Sequence, residues 1–152
     1  MLLTPVEGDY EGLYRQRLFE ERYVCVVGQH NPGAEKPLLF EDYIGAKHIE
    51  VGYEGGWRPL YLSIPALQKH QLDVALKIPG ISNLTAMIDA TNLILTIPER
   101  LACLIKGQGV IKEPPFKCFF DINLYWNKMT HHSVAHKWLR TQIMDLFKKK
   151  SS

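Results

Sequence analysis

Apolar and polar positions change period several times along this chain, and the changes mark out its elements. Leu93-Ile94-Leu95-Thr96-Ile97 is apolar almost throughout, the pattern of a parallel strand covered on both faces. Pro98 follows where a helix accepts proline, in the first turn, and Glu99 complements the positive end of the helix dipole. The stretch 89–102 therefore reads as one strand-to-helix step. A second strand is expected over 17–27, centred on Phe19 and on Tyr23-Val24-Cys25-Val26-Val27. Residues 28–37 are rich in Gly, Pro, Asn and His and form a turn region. A short helix follows at 39–44, with Glu41 and Asp42 near its start. Residues 48–53 alternate like a strand, and Glu54-Gly55-Gly56 ends it.

Leu60, Ile64 and Leu67 fall on one face of an amphipathic helix over 59–71. Pro65 inside it would cost about 3 kcal/mol in an unbroken helix, so the spacing predicts a kink or a restart near Ser63. A strand at 74–78 ends at Pro79-Gly80, and Ser82 or Asn83 can cap a helix reaching Asp89. A short strand lies around Val110, a long one at 119–126, and a last helix at 132–149. In that helix Trp138, Leu139, Ile143, Leu146 and Phe147 stand at helical spacing. Residues 1–11 read as a loop or extended entry. Strand and helix in repeated succession predict an α/β fold with a largely parallel sheet and right-handed crossovers.

At 152 residues the chain can form one domain or two small lobes, and 46% hydrophobic with 22% charged residues predicts a packed core. A net charge of +2 is too balanced to argue for a nucleic-acid surface. No apolar run approaches the roughly 20 residues of a membrane span, and the first residues lack the basic segment of a secretion signal. Cys25, Cys103 and Cys118 are an odd number without a C-x-x-C pair. They read as small buried hydrophobes in a reducing compartment, and a cytoplasmic location is expected.

Candidate chemistry is sparse. His132 and His136 are four apart, a metal-compatible spacing, but no H-E-x-x-H acid and no third ligand accompany them. They read as structural or solvent-facing, and no metal or cofactor is expected. No G-x-S-x-G occurs, and Cys25 and Cys103 sit in apolar runs, so the chain does not read as an enzyme. Gly55 and Gly56 could aim backbone N–H groups at an anion, or simply turn the chain from strand to helix. Ser82 and Thr85 could cap a helix, hold a carboxylate, or both. Trp126 reads as core, and Tyr125 as either core or the wall of a cleft.

The string Asp89-Ala90-Thr91-Asn92-Leu93-Ile94-Leu95-Thr96-Ile97-Pro98-Glu99-Arg100-Leu101-Ala102 resembles the "TDLIATVPERLA" signature of LysR-type transcriptional regulators. Further segments are similar in the same order. Residues 18–27 look like "LFRERFVCVV", Gln29-His30-Asn31-Pro32 like "DHP", Lys47-His48-Ile49 like "EHV" and Ile78-Pro79 like "VP". Ile122-Asn123-Leu124-Tyr125-Trp126 looks like "INLFW", and Ala135-His136-Lys137-Trp138-Leu139-Arg140 like "AHRWLR". The subgroup that these strings most resemble regulates aromatic catabolism and nodulation. Asn92, Asn127 and Gly80 depart from the family's usual residues.

The resemblance implies a periplasmic-binding-protein-like (type 2) α/β effector domain: a mostly parallel sheet flanked by helices, with the second lobe incomplete. Residues 1–16 would be an entry from lobe one, 17–116 lobe two, and 117–152 the returning strand and helix of lobe one. It further implies an inducer, a small aromatic or organic acid, held by Glu50, Gly52, Gly55, Gly56, Gly80, Ser82, Thr85, Thr91 and Tyr125. DNA would be reached only through a helix-turn-helix domain outside these residues, and a homo-oligomer with no membrane role is expected. The alternative is an oligomerisation or interaction module without its own ligand, because the strand at 119–126 would lack neighbours and leave an open edge.

Overall fold

The computed structural model describes residues 1–5, 8–52, 58–80, 84–105, 107 and 109–148, with backbone alone for Thr85 and Ala86. The chain divides into two compact units, one of residues 1–21 with 119–152 and one of residues 22–118. The strand Leu13–Val27 (β2) contributes its residues up to Glu21 to the first unit and those from Arg22 on to the second.

In the second unit the strand order is β6-β2-β5-β3-β4, where β3 is Lys47–Val51, β4 Asp73–Ile78, β5 Ile94–Pro98 and β6 Val110–Lys112. β3 pairs in parallel with β4 and with β5. β2 runs antiparallel to both β5 and β6. The sheet is therefore mixed, which corrects the expectation of a largely parallel one. The hydrophobic runs announce burial but carry no sign of strand direction, and β2 enters against its neighbours.

Two different layers cover this sheet. On one face Val24, Val26, Ile49, Leu95 and Ile97 pack with Leu84 and Ile88 of α3 (Leu84–Asp89) and Ala102 of α4 (Glu99–Leu104). Facing away from that cluster, Cys25 Sγ lies 3.6 Å from Thr96 Oγ1, which is 2.9 Å from the hydroxyl of Tyr43 on α1 (Phe40–Gly45). Tyr61 is buried on the 3-10 turn Leu60–Ser63, edge-on to Tyr23 at 5.1 Å. Pro65 breaks the expected helix as its ring demands. The 3-10 turn ends at Ser63, Ile64 is extended, and the short helix α2 restarts at Pro65–Gln68.

β5 is buried along Ile94–Ile97, as an apolar run in a sheet interior should be. Pro98 stands just before the first helical residue, and Glu99 opens α4. Arg22 binds Glu99 through Nε at 2.8 Å and Nη2 at 2.5 Å, and Glu113 through Nη1 at 2.8 Å. These pairs tie β2 to the start of α4 and to the segment after β6. Lys112 Nζ donates to the carbonyls of Gly33 (2.6 Å) and Ala34 (2.7 Å) and also to that of Lys36, so it holds the 28–37 turn region. Of the cysteines only Cys25 is buried. Cys118 is partly covered and Cys103 exposed, because α4 turns Ala102 inward and its neighbour outward.

In the first unit β7 (Phe119–Asn127) lies between β1 (Leu2–Thr4) and β2. β1 pairs antiparallel with β7, Leu2 opposite Tyr125. The expected open edge on residues 119–126 is therefore occupied by the chain's own first residues, which a reading of residues 1–11 as an entry segment did not foresee. Trp126 and Tyr125 are both buried.

The last helix, α5 (Val134–Lys148), also departs from expectation. Its inward side is formed by His136, Arg140, Ile143, Met144 and Phe147, with Phe147 against Phe19 at 4.7 Å. Trp138, Leu139 and Leu146 are exposed. Arg140, only 6% exposed, stacks its guanidinium 4.8 Å from the Trp126 ring and donates to the His131 carbonyl at 2.7 Å. A planar, weakly hydrated guanidinium can be buried on an aromatic face in this way. Among the described residues no helix is long and apolar enough to cross a membrane.

Candidate functional site

Parallel strands end together, and the loops that leave them gather at one edge of the sheet. In the second unit β3 and β4 meet there: Val51 is level with Ile78, and the Gly52 N–H donates to the Ile78 carbonyl at 2.8 Å. Gly80 stands two residues beyond that bond, and an added Cβ there would touch no atom of the described residues within 4 Å. Just behind it, Leu84 opens α3 and is buried in the core. The strand ends carrying Gly52 and Gly80 and the opening turn of α3 thus converge on the carboxyl edge of the parallel pair.

A register shift between His48 and Ile49 aligns Glu50 with Lys77, and Lys77 Nζ lies 3.3 Å from Glu50 Oε1. The Glu50 side chain is 13% exposed, the Lys77 side chain 65%. The pair forms part of the wall of a polar cleft of about 1130 Å³, with Arg58, Ser63, His70 and Asp73 also lining it. Beneath the cleft, burial pushes the Tyr61 phenol well above its ordinary pKa, and the Glu50 charge adds to the effect. Tyr23 Oη accepts the Leu60 N–H at 3.1 Å and so anchors the 3-10 turn that forms one side. Arg58 and Lys77 were not singled out by the sequence. The alternation Asp73-Val74-Ala75-Leu76-Lys77 places Lys77 on the exposed face of its strand, but only the cross-strand register sets it opposite Glu50.

Of the residues expected at an inducer, Glu50, Gly52 and Gly80 lie together. Gly55, Gly56 and Ser82 fall outside the described residues, as does the side chain of Thr85. Thr91 is elsewhere. It precedes β5, whose start lies level with His48 at the amino edge of the parallel strands, and its Oγ1 donates to the Met87 carbonyl at 2.7 Å. It closes the end of α3. Tyr125 belongs to the first unit, where its hydroxyl receives the Gly8 N–H and donates to the Gly8 carbonyl, both at 3.2 Å. His132 is exposed and His136 partly covered on α5, and among the described residues no group of three metal-ligating side chains occurs.

The family model described as "LysR substrate binding domain" matches residues 1–148. The chain belongs to the LysR substrate-binding domain family. HTH-type transcriptional activator NahR of Pseudomonas putida is 28% identical over 142 residues, covering 90% of this chain and 46% of NahR. Nodulation protein D 1 of Rhizobium tropici is 33% identical over 133 residues, covering 83% of this chain and 42% of that protein. This LysR domain thus spans somewhat under half the length of these curated relatives. Among solved structures, the effector-binding domain of QuiR in complex with shikimate superposes with a TM-score of 0.72 at 18% identity, covering 97% of this chain and 71% of that one. The α/β fold is that of LysR effector-binding domains, and the LysR relatives named here are regulators of transcription and nodulation rather than enzymes.

Proposed function

We propose that this chain is the inducer-sensing module of a LysR-type regulator and that it takes a small aromatic or other organic acid at the carboxyl edge of β3 and β4. The observation that carries this reading is the convergence of Gly52, Gly80 and the start of α3 on one edge, beside the Glu50–Lys77 pair. Bare backbone at the strand ends lets a planar ligand approach closely. Ser82, Thr85 and the N–H groups of the helix start would receive its carboxylate. Gly55 and Gly56 would border it, and Lys77 and Arg58 would supply positive charge close by. Thr91 and Tyr125 have lesser roles in this reading, since their hydroxyls already hold backbone partners. QuiR, of the same fold, is described in complex with shikimate, itself a carboxylic acid.

Binding would act through differential affinity for two arrangements of the regulator, and the shift would pass to a DNA-binding domain outside these residues. Such a regulator works on DNA in the cytoplasm. Thermal-shift and calorimetric titration of the 152-residue chain with a panel of aromatic and alicyclic carboxylic acids, shikimate included, test the proposal. At least one acid should raise the melting temperature and give saturable heats that Lys77→Met weakens. Indifference to every acid by a folded chain would count against it.

A further inference from the structure

The edge proposed for an acid already holds one. Glu50 stands on β3 two residues before Gly52, about 7 Å back from the strand end. Its side chain is 13% exposed and lines the cleft. Lys77 Nζ, 3.3 Å from Oε1, is its ion-pair partner among the described residues. Five residue pairs of parallel register already join β3 to β4, so the strands do not need this charge to hold them together. A glutamine of the same shape would hydrogen-bond there without the cost of covering a charge. What a carboxylate adds that an amide cannot is a negative potential, and it falls on whatever approaches Gly52 and Gly80.

We propose that Glu50 sets the charge selectivity of this edge: it admits acids with one negative charge and turns away those with two. The inference rests on the inducer reading and says which acids that site takes. Among the described residues the cleft carries three cations, Arg58, Lys69 and Lys77, against two carboxylates, Glu50 and Asp73. One positive charge is left over, enough for one carboxylate. Lys77 has three N–H donors and can keep Glu50 while it meets one oxygen of the ligand. A second ligand carboxylate finds no cation left to answer it. The ~7 Å from Gly52 to Glu50 is within a Debye length, about 8 Å at physiological salt, so that carboxylate would feel Glu50 largely unscreened. The wrong ligand is then rejected by an unpaired like charge rather than by shape.

Calorimetric titration of the 152-residue chain with benzoate, monomethyl terephthalate and terephthalate tests this. The last two share one ring and nearly one outline but differ by one charge. Benzoate and the monoester should each bind at least about tenfold tighter than terephthalate. Glu50→Gln should narrow that ratio to within about threefold, and Lys77→Met, which leaves Glu50 uncompensated, should widen it. A residue that only braces β3 against β4 would change the affinities together and leave the ratio alone. Glu41→Gln removes one exposed charge from α1 and should leave the ratio unchanged. Added salt should narrow it in the unaltered chain, a measurement that depends on no variant's folding. The proposal is overturned if terephthalate binds as tightly as its monoester, if the ratio ignores salt, if it ignores Glu50→Gln in a folded chain, or if Glu41→Gln narrows it equally. Each of these leaves the inducer reading standing, because an acid is bound. Refusal of all three probes also overturns it, and the inducer reading falls with it only if the wider acid panel is refused as well.

Discussion

Gly28 and Ile88 meet backbone to backbone: a Cβ built on Gly28 would stand 2.5 Å from the Ile88 carbonyl oxygen. The end of β2 and the last turn of α3 approach so closely because neither carries a side chain between them. Asp89 strengthens the approach by accepting the Gln29 N–H at 3.1 Å. Gly28→Ala must push α3 off the sheet and should cost about 1–3 kcal/mol, the usual penalty of overpacking. Gly109 is similarly confined: a Cβ built on it would stand 2.9 Å from the Val27 carbonyl oxygen and from Val26 Cγ1. A urea-denaturation midpoint for Gly28→Ala equal to that of the parent chain would refute the close packing.

Buried His48 predicts a pH dependence. Its Nε2 lies 2.8 Å from the Tyr43 carbonyl and so carries the proton, while Nδ1 is buried with no hydrogen-bond partner among the described residues. Burial lowers its pKa below the ordinary histidine value of 6.5. The unfolded chain therefore binds a proton that the folded chain refuses. Stability from this group is full above the unfolded pKa and is lost as pH falls through about 6.5 and below. Denaturation midpoints at pH 7.5 and pH 5.5 should differ, and His48→Gln should flatten the difference even while lowering stability at neutral pH. An unaltered slope in the variant would assign the effect to other groups.

Arg22 and Glu99 should respond to acid in a related way. The Arg22 hydrogen bonds hold the Glu99 carboxyl below the usual carboxylate range, so its stabilisation is present above the unfolded pKa and lost as pH falls through the lowered folded value. Both side chains remain partly open to water, at 32% and 40%. Arg22→Met should therefore cost about 1 kcal/mol, the upper end for a well-formed exposed pair. Added salt should shrink that difference in a denaturation series.

Cysteine labelling separates the three thiols. Cys103 is exposed and should react with a thiol reagent in the native state at the rate of a free peptide cysteine. Cys25 is buried, and burial pushes its pKa up to about 12, so it should label only on unfolding. Mass spectrometry after timed labelling reads the order directly, and early modification of Cys25 would contradict the packing of β2.

At the proposed ligand edge, a side chain on Gly80 would meet none of the described residues at its Cβ. Gly80→Phe should leave the melting temperature within about 2 °C, a change near the ±0.5 kcal/mol of ordinary surface substitutions, yet alter which acids bind. Lys77→Met leaves the largely covered Glu50 carboxylate without its Lys77 partner and should cost about 1–3 kcal/mol, and it should weaken acid binding about tenfold, or about 1.4 kcal/mol. Loss of folding in either variant would mean that the edge is packed rather than open.

Much of this arrangement is legible in the residues themselves. The run Leu93–Ile97 announces a doubly covered strand, Pro65 a broken helix, and Pro98-Glu99 the entry to α4, because each depends on local sterics and on period alone. The motif order likewise identifies the LysR family before any contact is known. Tertiary structure decides what depends on distant partners. It sets β2 antiparallel to β5, lays the first residues along β7, pairs Glu50 with Lys77, and separates Thr91 from Gly52 by the length of a strand. It also turns Arg140 inward over Trp126 and leaves Trp138 outside, although hydrophobicity orders them the other way. Periodicity measures which side of an element is apolar, whereas burial depends on which neighbour arrives to cover it, and that neighbour comes from elsewhere in the chain.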